Sequence, residues 1–398
     1  MLDWLIVGGG IHGTYLSNLL TAEARVPRNT LRVLDPHPEP LATWNRVAEN
    51  CGMRYLRSPS AHNIDIRITS VLKFVRTPKG APLADFIPQY YRPSLALFRA
   101  HCEHVIRTRR LAELRVRGTA RAIHRAADGF AVETDAAPIR ARRVILCLGL
   151  GDRLRRPRWA KRLRTEGGPA AHVFEPDFRR EETPADGETI VVGGGITAVQ
   201  LALALAEDRP GRVALLTRHP LRENNLDFDP CWIGPKCLRG FSAIPYDRRR
   251  EVVDAARNFG TVPEETMERW NVACAEGRVR LERSAVRDAI RTRGRVRLTT
   301  DAGELETDRI VLATGFDPRR PGGEMVDRMI AEMDLPIAPC GFPVLDEWFR
   351  WTDGLFLTGA LAELQGGPCA RNIVGVRNFG RVLLSGPDRP ANNHFPAK

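Results

Sequence analysis

Residues 4–13 read Trp4-Leu5-Ile6-Val7-Gly8-Gly9-Gly10-Ile11-His12-Gly13, and this stretch decides the fold. The apolar run predicts a buried strand, the glycine triplet a tight turn, and the small and apolar residues through Leu20 a helix. Gly8-x-Gly10-x-x-Gly13 in a strand–turn–helix setting has the context of a dinucleotide-binding turn. Gly8 permits the bend, Gly10 lets a pyrophosphate approach the backbone, and Gly13 lets helix and strand pack closely. The phosphates would sit at the helix N-terminus, where unpaired N–H groups and the helix dipole favour negative charge. A second strand, Leu31-Arg32-Val33-Leu34, leads to Asp35, which is placed to accept hydrogen bonds from adenosine ribose hydroxyls.

The pattern recurs about 185 residues further on. Thr189-Ile190-Val191-Val192 is a strand, Gly193-Gly194-Gly195-Ile196-Thr197-Ala198 a second glycine turn, and a helix runs through Ala206. The next strand, Arg212 to Leu216, ends in Thr217-Arg218-His219 with no carboxylate. An acid there would bind the 2′-hydroxyl of NAD and repel the 2′-phosphate of NADP. Arg218 instead offers a fork of donors suited to phosphate. Gly193, Gly195, Ala198, Arg218 and His219 are therefore read as an NADPH site.

Between the two turns lie an aromatic and proline-rich stretch from Trp44 to Pro93, a helix over Ser94–Arg109, and strands at Leu114–Arg117 and Phe130–Thr134. Two apolar strands, Val144–Leu148 ending at Gly149 and Arg309–Ala313 ending at Thr314-Gly315-Phe316, suit places where the chain crosses between domains. Near the end, strand Leu355–Leu357 leads through Thr358-Gly359-Ala360 and Gly366-Gly367-Pro368 into a helix expected from about Cys369 to Leu384, with Pro368 in its first turn. The expected fold class is α/β, with two Rossmann-like dinucleotide-binding domains and the NADPH domain inserted into the first. The boundaries are 1–185, 186–315 and 316–385, with a flexible tail over 386–398.

The 398 residues are 43% hydrophobic and 27% charged, a globular composition long enough for two domains. No run approaches the ~20 apolar residues that span a bilayer, and the first apolar stretch carries no cleavage-site pattern, so a cytoplasmic protein without a membrane partner is expected. Eight cysteines without a CxxC pair predict reduced thiols, and Cys231 and Cys237 are read as two packed thiols. No metal site is expected. The formal charge is +12, yet only five of the 60 basic residues are lysines and no basic run is interleaved with aromatics. That is a solvated surface rather than a nucleic-acid interface.

The two dinucleotide folds, the Leu312-Ala313-Thr314-Gly315-Phe316 signature and the final glycine strand–turn–helix resemble the two-domain FAD and NADPH flavoproteins, above all the single-component monooxygenases. Met53-Arg54-Tyr55-Leu56-Arg57 is similar to the flavin-side loop of the lysine and ornithine N-hydroxylases. The resemblance implies that Gly8, Gly10, Gly13 and Asp35 hold FAD, that Gly315, Gly359 and Gly367 serve cofactor binding, and that Trp44 packs near the flavin. A helix N-terminus aimed at the flavin pyrimidine would stabilise its anionic reduced form. Arg57 stands roughly where the amino-acid hydroxylases place a substrate-facing lysine, and Arg57, Asn63 and Tyr91 are pocket candidates; no catalytic residue is nominated. The FxGxxxHxxxW fingerprint of Baeyer–Villiger enzymes is absent. The implied reaction has NADPH reduce FAD, oxygen add at flavin C4a, and the hydroperoxide oxygenate a small nitrogen or sulfur nucleophile. The partners would be that small molecule and molecular oxygen, with a homo-oligomer left open. A flavin-dependent disulfide or other NADPH reductase, and a non-catalytic flavin-bound redox sensor, are the alternatives.

Overall fold

The first glycine motif folds as read in the computed structural model, which describes residues 1–184 and 186–387. Strand β1 (Leu2–Val7) enters the turn, helix α1 (Ile11–Ala22) leaves it, and β2 (Leu31–Asp35) returns parallel to β1 with Leu34 beside Val7. Trp4 to Val7 are buried without alternation, as in a parallel strand covered on both faces. The stretch from residue 42 to 93 holds short helices and a small hairpin, Phe86–Ile87 with Arg92–Pro93. Helix Leu95–Thr108 follows, its start fixed by the Ser94 hydroxyl accepting from the Leu97 N–H at 3.3 Å. Strand β3 (Arg115–Arg117) joins β2, and β4 (Ile139–Leu146) joins the other side of β1.

The second unit is an all-parallel sheet. Its elements are β5 (Ala170–His172), β6 (Thr189–Val192), α2 (Ile196–Asp208), β7 (Val213–Thr217), α3 (Pro235–Ser242), β8 (Val279–Arg283) and β9 (Arg309–Leu312). The strand order is β8-β7-β6-β9-β5. An antiparallel meander, Val286–Thr292, Arg295–Thr300 and Gly303–Thr307, covers one side, and helix Arg158–Thr165 packs on it through Trp159 and Leu163. Both β5 and that helix precede Asp186, so the second unit takes in more chain than the expected 186–315. The missed strand is three residues long, too short to show a period. The chain enters and leaves through adjacent segments, with Leu154 bridged to Phe316 and the Arg155 N–H donating to the Gly315 carbonyl at 2.9 Å.

Strand β10 (Leu355–Leu357) then returns to the first sheet beside β4, completing the order β10-β4-β1-β2-β3. Helix α4 (Ile373–Ser385) packs on α1, where Gly380 leaves room for Leu19 and Tyr15. It starts at Ile373 rather than Cys369, so Pro368 lies in the preceding turn and not in the helix. The cause is local: Gly367 is left-handed (φ 72°), and the N–H groups of Ala370 and Asn372 bond back to the Gly367 and Cys369 carbonyls. Of the expected flexible tail, residues 388–398 lie outside the described residues.

The reading of Cys231 and Cys237 as packed thiols is corrected. The short helical turn Pro230–Ile233 and the start of α3 double back so that the two Cα atoms are 5.4 Å apart, and the sulfurs form a disulfide. Cys51, Cys102 and Cys369 are free and buried; burial pushes the Cys51 thiol up to about 12 and that of Cys369 up to about 11. Among the described residues no helix is long and apolar enough to cross a membrane, and no group of acidic, His and Cys side chains is arranged to hold a metal.

Candidate functional site

The two glycine turns are built alike. Gly8 has φ 108°, and a Cβ there would lie 2.5 Å from the Cys147 carbonyl oxygen. A Cβ on Gly13 would lie 1.9 Å from the Gly8 carbonyl oxygen, so only glycine lets α1 sit this close to β1. At Gly10 a Cβ would meet nothing within 4 Å: this face is open. Gly10 is the N-cap of α1, which has no side-chain cap and no acidic residue in its first turn. The turn thus offers bare backbone donors at a positive helix end, the environment a pyrophosphate requires. Asp35 is engaged: its carboxylate accepts from the N–H of Gly9 (2.6 Å) and of His37 (2.9 Å) and pairs with Arg115 at 3.1 Å. A carboxylate has about four acceptor positions, so one is left for a ribose hydroxyl.

His12 was not singled out in the sequence, yet it ties the turn to the end of the chain. Its Nε2 faces the Asn372 carbonyl at 3.2 Å and its Nδ1 the Thr358 hydroxyl at 3.1 Å. A carbonyl only accepts, so Nε2 carries the proton and Nδ1 accepts from Thr358. Burial lowers its pKa to about 4, which keeps the ring neutral. Gly359 (φ 71°) lies against the same ring. Asn372 is the N-cap of α4, but its side chain does not cap that helix. Its Nδ2 donates to Asp227 at 2.7 Å, and its Oδ1 accepts from Arg257 at 3.4 Å. Asp227 belongs to the second unit, so a polar chain runs from the first glycine turn through His12 and Asn372 into that unit.

In the second turn, a Cβ on Gly193 would lie 2.5 Å from the Ala313 carbonyl oxygen, and one on Gly195 would lie 3.2 Å from the Gly260 Cα. Ala198 is fully buried where the first turn has Gly13. Gly195 caps α2, again without a side-chain cap or a first-turn acid. Beyond β7, Arg218 and His219 are exposed. Arg218 makes no hydrogen bond or ion pair to the described residues, while the His219 carbonyl accepts from the Thr217 hydroxyl at 2.9 Å.

The three pocket candidates are not brought together. Arg57 is clamped between the units: Nη1 pairs with Asp227 at 2.9 Å, and Nη2 donates to the Asn224 and Leu226 carbonyls and the Thr261 hydroxyl at 2.7, 3.0 and 2.9 Å. Both terminal nitrogens are thus engaged by protein, while its buried Nε has no partner among the described residues. Asn63 is buried, donating to the Ser60 and Ile68 carbonyls and accepting from the Asp65 N–H, so it organises its own loop. Tyr91 is exposed at the hairpin tip, edge-on to Phe86. Trp44 is half-buried with its ring 5.2 Å from Phe98. Gly315 is left-handed with open space around it, whereas a Cβ on Gly367 would meet Leu238 of α3 at 3.0 Å, so Gly367 serves packing.

Two family models match the chain: FAD-NAD(P)-binding over residues 5–151, and pyridine nucleotide-disulphide oxidoreductase over residues 187–335. A sequence search of curated proteins finds no match. The fold is shared with the ornithine N-hydroxylase of Kutzneria sp. 744, solved with reduced FAD, NADP⁺ and L-ornithine; it is 18% identical, with a TM-score of 0.75 over 97% of this chain and 98% of that one. A desferrioxamine-pathway cadaverine monooxygenase from Erwinia amylovora, bound to FAD, is 16% identical, with a TM-score of 0.74 over 100% and 99%. L-lysine 6-monooxygenase from Pseudomonas syringae is 17% identical, with a TM-score of 0.73 over 98% and 100%. The two matched units, one FAD-NAD(P)-binding and one pyridine-nucleotide, correspond to the two Rossmann-like units of the fold. The chain shares its architecture with these three enzymes over nearly its full length.

Proposed function

We propose that this protein is an FAD- and NADPH-dependent monooxygenase that oxygenates a small amine at nitrogen. The observation that carries the reading is the pair of bare glycine turns, each opening an uncapped helix N-terminus, in a fold shared over 98% of its length by a neighbour solved with reduced FAD, NADP⁺ and L-ornithine. Bound FAD would supply the redox chemistry, accepting a hydride from NADPH and then activating oxygen. Gly8, Gly10, Gly13 and Asp35 would hold its pyrophosphate and ribose, and Gly359 and the N-terminus of α4 would serve its flavin end. Gly193, Gly195, Ala198, Arg218 and His219 would hold NADPH, with the exposed Arg218 supplying charge for the 2′-phosphate. His12, neutral and hydrogen-bonded on both nitrogens, fixes α1 relative to α4 and so sets one binding surface against the other. The first unit comprises residues 1–153 and 317–387 and the second 154–316, and the enzyme works in the cytoplasm on a small molecule and oxygen.

The test is NADPH oxidation by the purified, FAD-loaded protein across a panel of diamines and amino acids, with hydroxylamine product measured. A second reading has one observation in its favour, the Cys231–Cys237 disulfide in a unit matched by the disulphide oxidoreductase model. Under it, turnover with a disulfide acceptor would disappear in the Cys231→Ser/Cys237→Ser variant while FAD stayed bound.

A further inference from the structure

Asparagine is among the preferred N-cap residues because its side-chain oxygen accepts from an N–H of its own helix's first turn. Asn372 has the cap's extended backbone (φ −92°, ψ 168°), yet its side chain points away from α4. What holds it away is Asp227. One carboxylate oxygen takes the Asn372 amide at 2.7 Å, and the other is fixed by Arg57 at 2.9 Å. Arg57 is held in turn by three further acceptors, so the carboxylate has little freedom to follow a moving asparagine. Arg257 is held by the Pro368 carbonyl and reaches Asn372 Oδ1 only at 3.4 Å, so the firm hold on the asparagine is the 2.7 Å bond to Asp227. The Phe228 ring, one residue on, packs with Cys369 and Val374 at the start of α4. The Ile233 carbonyl accepts from Asn378 one turn further along. The second unit therefore lies along the N-terminal half of α4 and takes hold of its cap.

We propose that Asp227 is a positioning residue that withholds Asn372 from its own helix, keeping the Ile373 and Val374 N–H groups of α4 free for the flavin, while the Gly375 N–H already donates to the Asn372 carbonyl at 2.9 Å. This rests on the reading above that the N-terminus of α4 serves the flavin end of FAD. Free N–H groups at a positive helix end stabilise the negative charge of the reduced flavin, and a capping side chain would take one of them. The second unit thereby tunes the flavin held by the first.

Asn372→Ser and Asn372→Ala differ by one hydroxyl and give opposite outcomes. Both lose the hold on Asp227, but serine is a strong N-cap and alanine a poor one. In the cofactor-free protein, hydrogen exchange in the peptide holding residues 373–376 should slow in Asn372→Ser and Asp227→Ala relative to wild type. It should not slow in Asn372→Ala or in Asp227→Ala/Asn372→Ala. In the FAD-loaded protein, the midpoint potential should move to more negative values in the first pair and stay at the wild-type value in the second. Equal exchange and equal potential in Asn372→Ser and Asn372→Ala would overturn the proposal, as would faster exchange in Asn372→Ser. If the wild-type protein takes up no FAD, the functional reading fails, and the exchange measurement alone still decides the role of Asp227.

Discussion

Gly10 and Gly13 belong to one motif, but the geometry assigns them different duties that alanine substitution separates. At Gly13 the added Cβ would be 1.9 Å from the Gly8 carbonyl oxygen, so α1 must move off β1 by more than an ångström. Overpacking of this kind costs roughly 1–3 kcal/mol, and at roughly 2–4 °C per kcal/mol the melting temperature should drop by several degrees. At Gly10 the Cβ meets nothing within 4 Å, and the backbone there (φ −72°) is open to alanine. Gly10→Ala should therefore melt as wild type when cofactor-free, yet bind FAD at least about tenfold more weakly, a loss of about 1.4 kcal/mol, because the methyl group occupies the approach of the pyrophosphate. Apoprotein melting by circular dichroism and FAD titration by flavin fluorescence read the two effects. An FAD affinity unchanged in Gly10→Ala would refute the placement of the pyrophosphate, and an unchanged melt in Gly13→Ala would refute the packing argument.

Arg218→Ala should weaken NADPH about tenfold by loss of charge-assisted phosphate bonds and barely touch NADH; equal losses in titrations with both would assign Arg218 another role. Arg57→Ala removes one partner of a largely buried ion pair and should destabilise the protein by about 3 kcal/mol, with the melt as readout and no dependence on which amine is supplied. Burial lowers the pKa of His12, His62, His101 and His172 to about 4, below the usual 6.5. Between those values the unfolded chain binds more protons than the folded one, so stability is full above pH 6.5 and is lost as pH falls toward 4. A melting temperature flat from pH 7 to 4.5 would contradict this. Cys231→Ser/Cys237→Ser should cost about 2 kcal/mol, the entropy of closing a short loop, and leave NADPH oxidation intact; loss of turnover with FAD retained would favour the disulfide-reductase reading.

Both dinucleotide units were legible because each glycine turn sits between a buried apolar strand and a helix, a local pattern with a local cause. Strand Ala170–His172 was not, since its identity as a strand comes only from pairing with β9. The start of α4 was misplaced because the left-handed Gly367 and two successive turns, rather than helix propensity, decide where it begins. The disulfide escaped because the six-residue separation gives no signal until the turn before α3 folds back. Arg57 was singled out by position along the chain, but its partners Asp227 and Thr261 lie in the other unit and no sequence spacing reveals them. His12 had a readable signal, a histidine inside a glycine turn that would otherwise be small and apolar, but its partners Thr358 and Asn372 are supplied by the far end of the chain.

Mixing the FAD-loaded protein with NADPH without oxygen, then admitting oxygen together with a small diamine, separates a monooxygenase from the alternatives. NADPH should bleach the visible flavin bands, oxygen should restore them, and about one hydroxylated amine should form per NADPH consumed. A flavin that NADPH does not bleach, or that reoxidises with hydrogen peroxide as the sole oxygen product for every amine tried, would contradict the monooxygenase reading.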